Sequence, residues 1–195
     1  MVNIALIILC IIFGLQLLGT KTRFEIFRSG FFGKLVFWIS VIFIFSYAFY
    51  LSWDQYQLWK NDDIGKLLLP PYQNFDYIIF YARTRFFNPY ILSLFFSLLF
   101  FWSAKSFNKK YEERFFEESE TYIFATALFL VGHPNWLFYL ILLLLTSVLL
   151  SAIHSIYFEP KKRLSLYYLW LPVAISTILI SRWLEMLPWW QILKF

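Results

Sequence analysis

The stretch WLFYLILLLLTSVLLSAIHSIYF, from Trp136 to Phe158, decides the fold class of this protein. It contains no Asp, Glu, Lys or Arg, and it exceeds the roughly 20 apolar residues that a helix needs to cross a bilayer. A helix is favoured because a single segment in lipid must satisfy its own backbone hydrogen bonds. The stretch therefore predicts a transmembrane α-helix.

The composition of the whole chain also indicates that lipid surrounds much of its surface. Of its 195 residues, 61% are hydrophobic, 24% are aromatic and only 15% are charged. Soluble domains are about 45–50% apolar and about 25% charged, and a soluble chain of this size could not bury so many large side chains. The single cysteine, Cys10, excludes an internal disulfide and a cysteine-based metal cage.

The apolar segments predict six transmembrane helices, at residues 3–19, 31–53, 89–104, 113–132, 136–158 and 164–181. The apolar part of the fourth, Tyr122 to Gly132, is too short to cross by itself, so its helix is expected to begin earlier, near Tyr111. Residues 132–135 then predict a tight reversal, because Gly caps helix ends and Pro cannot continue a helix. At the water boundary of this reversal, His133 needs no functional explanation.

Two further segments are aromatic and amphipathic rather than continuously apolar. Residues 75–88 and 183–193 are expected to lie in the membrane interface, where Trp and Tyr are enriched. The sequence therefore predicts one all-α integral membrane domain over residues 1–195, with six transmembrane helices and one or two interfacial amphipathic helices.

The basic residues predict the orientation. Lys and Arg are concentrated in the connections after the first, third and fifth predicted spans, and the reversal after the fourth contains none. Cytoplasmic connections carry an excess of these residues, so both termini are expected outside the cytoplasm, in a multi-pass protein of the cell membrane. The net charge of +5 then reflects topology, and no nucleic-acid partner is expected.

An acidic run and a histidine are the candidate chemical groups. Glu113, Glu117 and Glu120 are four and three residues apart, which places them on one face of a helix. If the fourth and fifth spans form a hairpin, His154 reaches the same leaflet. Glu117, Glu120 and His154 are then candidate catalytic residues. The candidate metal ligands are these three residues and Glu113. The simpler interpretation is a solvated acidic helix start that pairs with neighbouring bases.

Two other patterns concern contacts rather than chemistry. Arg83 and Arg85, set among aromatic residues, are candidates for contact with a lipid headgroup or another anion. Ser147, Ser151 and Ser155 recur every fourth residue, a spacing that allows close packing of helices in lipid.

No motif in the sequence identifies a catalytic mechanism or a cofactor. The favoured function is therefore a membrane-embedded component of a larger assembly, or a transport subunit that binds lipid or solute. The alternative is a metal-dependent intramembrane enzyme that acts on lipid or on a membrane peptide through Glu117, Glu120 and His154. The expected partners are the lipid bilayer and either other membrane proteins or further copies of this chain.

Overall fold

The structure, a computed structural model, describes residues 1–21, 29–111, 116–157, 166–186, 188 and 190. These residues are helical, with turns between the helices and no strand among them. Their α-helices in chain order are α1 (Val2–Lys21), α2 (Gly30–Asn61), α3 (Phe75–Ala82), α4 (Asn88–Lys110), α5 (Glu118–Val131), α6 (Asn135–Tyr157) and α7 (Trp170–Leu184).

Four helical segments are long and apolar enough to cross a membrane: Val2–Gly19, Gly30–Asn61, Phe75–Lys110 and Asn135–Ile156. They confirm helices at the predicted first, second, third and fifth spans. The helices at the fourth and sixth positions, α5 and α7, are apolar but shorter, with 14 and 15 residues.

Parts of four predicted segments lie outside the described residues. They are residues 113–115 of the fourth span, residue 158 of the fifth, residues 164–165 of the sixth, and much of the helix predicted at 183–193, whose first residues, Trp183 and Leu184, belong to α7.

The helix predicted separately at residues 75–88 instead forms the first part of a continuous helical segment, Phe75–Lys110. A π-helical turn, Arg83–Phe87, joins α3 to α4, and the Asn88 N–H donates to the Arg83 carbonyl. Pro89 follows directly and has no N–H to donate to a preceding turn. A local widening at this point keeps the two helices in one segment instead of breaking them apart.

The beginning of α5 corrects the prediction that this helix starts at about residue 113. Glu117 is the N-cap, with extended backbone, and the helix begins at Glu118. The side chain of Glu117 accepts from the Glu120 N–H, and Glu120 Oε2 accepts from the Glu117 N–H at 2.9 Å. This capping box satisfies N–H groups that a helix start otherwise leaves unpaired.

Helix α5 lies at the centre of the bundle. It packs against α1, α2, α4, α6 and α7, and the side chains from Ser119 to Val131 are buried with the exception of half-buried Tyr122. The Phe129 ring is fully buried among aromatic rings of α2 and α4. The core of the described chain is therefore built around a short helix, with the long helices outside it.

Small residues allow the neighbouring backbones to approach α5 closely. Ser93 donates hydrogen bonds to the Leu128 and Phe129 carbonyls, and Ser97 donates to the Ala125 carbonyl at 2.7 Å. On another side, a Cβ atom at Gly33 of α2 would lie 2.9 Å from the Tyr122 Cβ. Small side chains at helix contacts have this effect because they remove the atoms that keep backbones apart.

The Gly33→Ala substitution is expected to destabilise the protein, because the added methyl group overlaps Tyr122 and forces α2 away from α5. Overpacking of this kind costs about 1–3 kcal/mol of the free energy of unfolding, measured by unfolding in detergent. The matched control is Gly14→Ala in α1, where a Cβ meets nothing within 4 Å and Ala favours the helix. Equal stability of the two variants would contradict the close α2–α5 contact.

Candidate functional site

An open cleft lies at the end of the bundle where α1, α4 and α6 begin and where α5 and α7 end. Its volume is about 740 Å³, within the roughly 300–1,000 Å³ typical of small-molecule sites. The start of α1, residues 77–92 around the π turn and the reversal at 131–135 form most of its wall, and Leu51 and Glu185 complete it.

The reversal between α5 and α6 is tied to the start of α4. Gly132 has a φ of 75° and a ψ of 164°, a combination that is essentially restricted to glycine. The His133 N–H donates to the Pro89 carbonyl at 3.1 Å, and the His133–Pro134 peptide is cis. The beginning of α4 and the reversal therefore form one connected part of the cleft wall.

The His133 ring is oriented by its neighbour Trp136. The Trp136 Nε1–H donates to His133 Nδ1 at 3.1 Å, and the indole ring stacks on Phe96 with 4.1 Å between ring centroids. Because an indole N–H can only donate, Nδ1 must act as the acceptor, and the neutral imidazole carries its hydrogen on Nε2. His133 is half-buried and lines the cleft.

The π turn forms another part of the wall. Thr84, Arg85 and Phe86 of this turn line the cleft, whereas Arg83 is not among the lining residues. Single π turns inside helices occur frequently at functional sites, because they re-aim side chains relative to a regular helix. Arg85, one of the two arginines predicted to contact an anion, therefore lies at a cavity, and the predicted contact of Arg83 stays a prediction.

The electrostatic character of the cleft is mixed. Its charged side chains among the described residues are Arg85 and Glu185, and both are exposed. Asn88 and Asn135 add amide groups, and the Asn135 Oδ1 is buried without a hydrogen-bond partner. Asn3, Thr84 and His133 add further polar groups, and the remaining lining side chains are apolar or aromatic. Such a lining suits the binding of an amphipathic molecule with a polar end.

The predicted acidic site takes a different form. Glu117 and Glu120 are joined in the capping box of α5, so they do not form a stripe along one helix face. Glu120 is buried at 4% exposure, whereas Glu117 is exposed. Glu113 lies outside the described residues. The spacing argument failed here because it assumed a helix that continues through residues 113–120.

His154 is half-buried near the end of α6, where the neighbouring Ile153 and Ser155 are exposed. Within the described ranges, no three His, Cys, Asp or Glu side chains come together as a group that could hold a metal ion. The catalytic and metal-binding roles of Glu117, Glu120 and His154 stay predictions.

Two of the three predicted packing serines of α6 donate hydrogen bonds to their own helix. The Ser147 and Ser155 hydroxyls donate to the carbonyls of Leu144 and Ala152. Ser151 and Ser155 are exposed and Ser147 is half-buried. The packing role predicted for these serines therefore stays a prediction. The helix that would pack against them belongs to a partner chain.

The residues that sequence reasoning missed are His133, Asn88, Asn135 and Thr84. The reversal at residues 132–135 was predicted correctly, but its histidine was assigned to the water boundary without a function. The available indication was the pair His133 and Trp136, three residues apart at a helix start, where neighbouring side chains meet. Comparison with protein-family models, curated proteins and solved structures found no match for this chain.

The Gly132→Ala substitution is expected to destabilise the reversal that carries His133. The added Cβ finds ordinary contact with the Tyr90 ring at 3.7 Å, so the cost comes from the backbone conformation, about 1–3 kcal/mol. Unfolding in detergent would measure it against Gly14→Ala as control. An unchanged free energy of unfolding would contradict the backbone geometry described for residue 132.

Proposed function

We propose that this chain is a multi-pass protein of the cell membrane that binds a lipid or solute in the cleft, as a subunit of a transport system. The single observation that carries the proposal is the open cleft, whose lining combines polar and charged side chains with aromatic and aliphatic ones. A cavity of this size and lining is typical of a ligand site. Binding is therefore favoured over a role limited to assembly.

We further propose six crossings, with α5 and α7 completing the four long helices. Helix α5 extends over about 21 Å, less than the roughly 30 Å of the hydrocarbon core. Non-helical backbone is tolerated at membrane depth where protein surrounds it. The buried reversal residues Gly132 and Pro134 at one end, and half-buried Phe116 at the other, support a crossing of this kind.

Under this topology the cleft opens on the extracytoplasmic side, with both termini. The basic end of α4, with Lys109 and Lys110, lies at the cytoplasmic end, in agreement with the positive-inside rule. Phe75–Lys110 is about 54 Å long by helix geometry, so its first part lies at or beyond the outer membrane boundary. Tyr77 and Tyr81 contact Trp59 at the end of α2, which supports a joint extension of both helices beside the cleft.

Labelling of single cysteines tests the proposed topology. In a Cys10→Ser background, a membrane-impermeant maleimide added to intact cells is expected to react with Asp63→Cys and Met186→Cys, because both positions are placed outside. Lys109→Cys and Lys161→Cys are expected to react only after permeabilisation. Reaction of Lys161→Cys in intact cells would contradict six crossings, because it means that α5 does not cross.

Filling the cleft tests the proposed function. Thr84 lines the cleft and is half-buried, so Thr84→Trp is expected to displace the bound molecule by occupying its volume. The matched control is Ile79→Trp, at a site that is 60% exposed and outside the lining. Native mass spectrometry of purified protein would measure the retained lipid or solute, with circular dichroism confirming equal helix content. A wild type that retains nothing, or equal retention in both variants, would overturn the proposal.

A further inference from the structure

We propose that the hydroxyl of Tyr90 anchors the ligand of the cleft, and that the group it binds is an uncharged oxygen at the polar end of a lipid. The inference rests on the proposed function, in which the cleft is the ligand site, and it adds the anchoring residue and the chemical class of the ligand. Hydroxyl and carbonyl oxygens can both accept a hydrogen bond from the O–H of a tyrosine.

The Tyr90 hydroxyl is an unused hydrogen-bonding group on an otherwise buried side chain. Tyr90 is 4% exposed, and its ring packs edge-on against Phe129 with 5.9 Å between ring centroids. Among the described residues its hydroxyl has no hydrogen-bond partner, although the large majority of buried polar side-chain atoms have one. The core therefore holds the ring in place and leaves the hydroxyl available.

The hydroxyl can be reached from the cleft. Tyr90 is a lining residue, and its Oη is not among the polar side-chain atoms that are both sealed from solvent and unpartnered. It lies beside Gly132, where a Cβ atom would be 3.9 Å from Oη. Because Gly132 has no side chain, the reversal leaves the hydroxyl uncovered on that side.

The buried side chains of the lining carry no charge. Besides Tyr90, the buried lining residues all belong to the reversal: Val131, Gly132, Pro134 and Asn135. Asn135 is polar but neutral, and its Nδ2 donates to the Val131 carbonyl at 3.4 Å while its Oδ1 is sealed without a partner. The charged side chains, Arg85 and Glu185, are exposed.

This distribution of charge favours an uncharged group at Tyr90. An ion that moved to the buried part of the cleft would lose its water without gaining a side chain of opposite charge there, which is costly. A neutral hydroxyl or carbonyl oxygen loses far less, and the hydrogen bond from Tyr90 offsets that loss.

The half-buried lining favours a lipid as the molecule that carries this oxygen. Leu51, Phe86 and Leu92 are half-buried at the cleft, and their contact with an acyl chain removes apolar surface from water. The cleft volume of about 740 Å³ exceeds what a small polyol such as glycerol fills. In an uncharged lipid such as a diacylglycerol, the hydroxyl and ester oxygens stand directly beside the acyl chains, as the Tyr90 hydroxyl stands beside these apolar residues.

Removal of the hydroxyl alone separates binding from structure. Tyr90→Phe keeps the ring against Phe129 and deletes an oxygen that has no partner among the described residues, so the melting temperature of the ligand-free protein is expected to be unchanged. The matched control is Tyr139→Phe, because Tyr139 is fully buried outside the lining and its hydroxyl donates to the Trp170 carbonyl at 3.3 Å. This control is expected to lower the melting temperature and to leave ligand binding within about twofold.

Native mass spectrometry of the full chain in detergent measures the binding of three probes. They are dioleoylglycerol, dioleoyl phosphatidate with the same acyl chains, and glycerol. The wild type is expected to bind dioleoylglycerol, and to bind phosphatidate about tenfold more weakly or less, because its charge would be buried without a partner. Tyr90→Phe is expected to weaken dioleoylglycerol binding about three- to tenfold, through the loss of one hydrogen bond between neutral groups.

Each other outcome identifies what fails. Unchanged binding of dioleoylglycerol by Tyr90→Phe would overturn the anchoring role while leaving the proposed lipid-binding function intact. Phosphatidate that binds as tightly as dioleoylglycerol would overturn the selection of an uncharged group, and displacement of dioleoylglycerol by glycerol would overturn the lipid source. Melting temperatures that fall equally in both variants would overturn the inference in favour of a structural hydroxyl. Binding of none of these probes, by a wild type that also retains no other molecule, would remove the proposed function itself.

Discussion

Two serine hydroxyls of α4 donate hydrogen bonds into the backbone of α5, and the arrangement of the bundle depends on this contact. The carbonyls of Ala125, Leu128 and Phe129 lie in or near the last turns of α5, and a carbonyl oxygen has a second lone pair for such a donor. The bonds form only if the two backbones come close, which the small serine side chain permits. Gly33 permits the same approach by α2, so α4 and α2 both pack closely against α5.

Because α5 is short and enclosed by other helices, the residues beside both of its ends lie within the bundle. Its flanking residues leave the helical conformation while still inside the bundle, so their polar groups need partners from the protein. Asn108 provides them at one end, donating to the Phe116 carbonyl and accepting from the Phe116 N–H. The Pro89 carbonyl provides one at the other end, by accepting from His133. Helix α4 therefore provides hydrogen-bond partners for the residues that flank both ends of α5.

The cleft follows from this second connection. Because the start of α4 holds the reversal, the π turn just before it is brought to the same end of the bundle as His133. Long helices on the outside extend past this end, as the contact of Trp59 with Tyr81 shows, with 4.9 Å between ring centroids. A short central helix surrounded by longer ones leaves a depression above its end, and polar groups of the reversal and the π turn line it.

The sequence by itself determined the helical class of the chain and the approximate positions of its four long apolar helices, although it predicted residues 75–88 as a separate helix instead of the first part of the third. These follow from the length of uninterrupted apolar runs, which is a local property. It also predicted the reversal at residues 132–135, because glycine and proline act locally. The tertiary structure decided that α5 is central, that Glu117 and Glu120 cap a helix instead of lining it, and that Arg85 and His133 share a cleft. Burial and proximity depend on contacts between helices distant in the chain, and residue spacing along one helix contains no information about them.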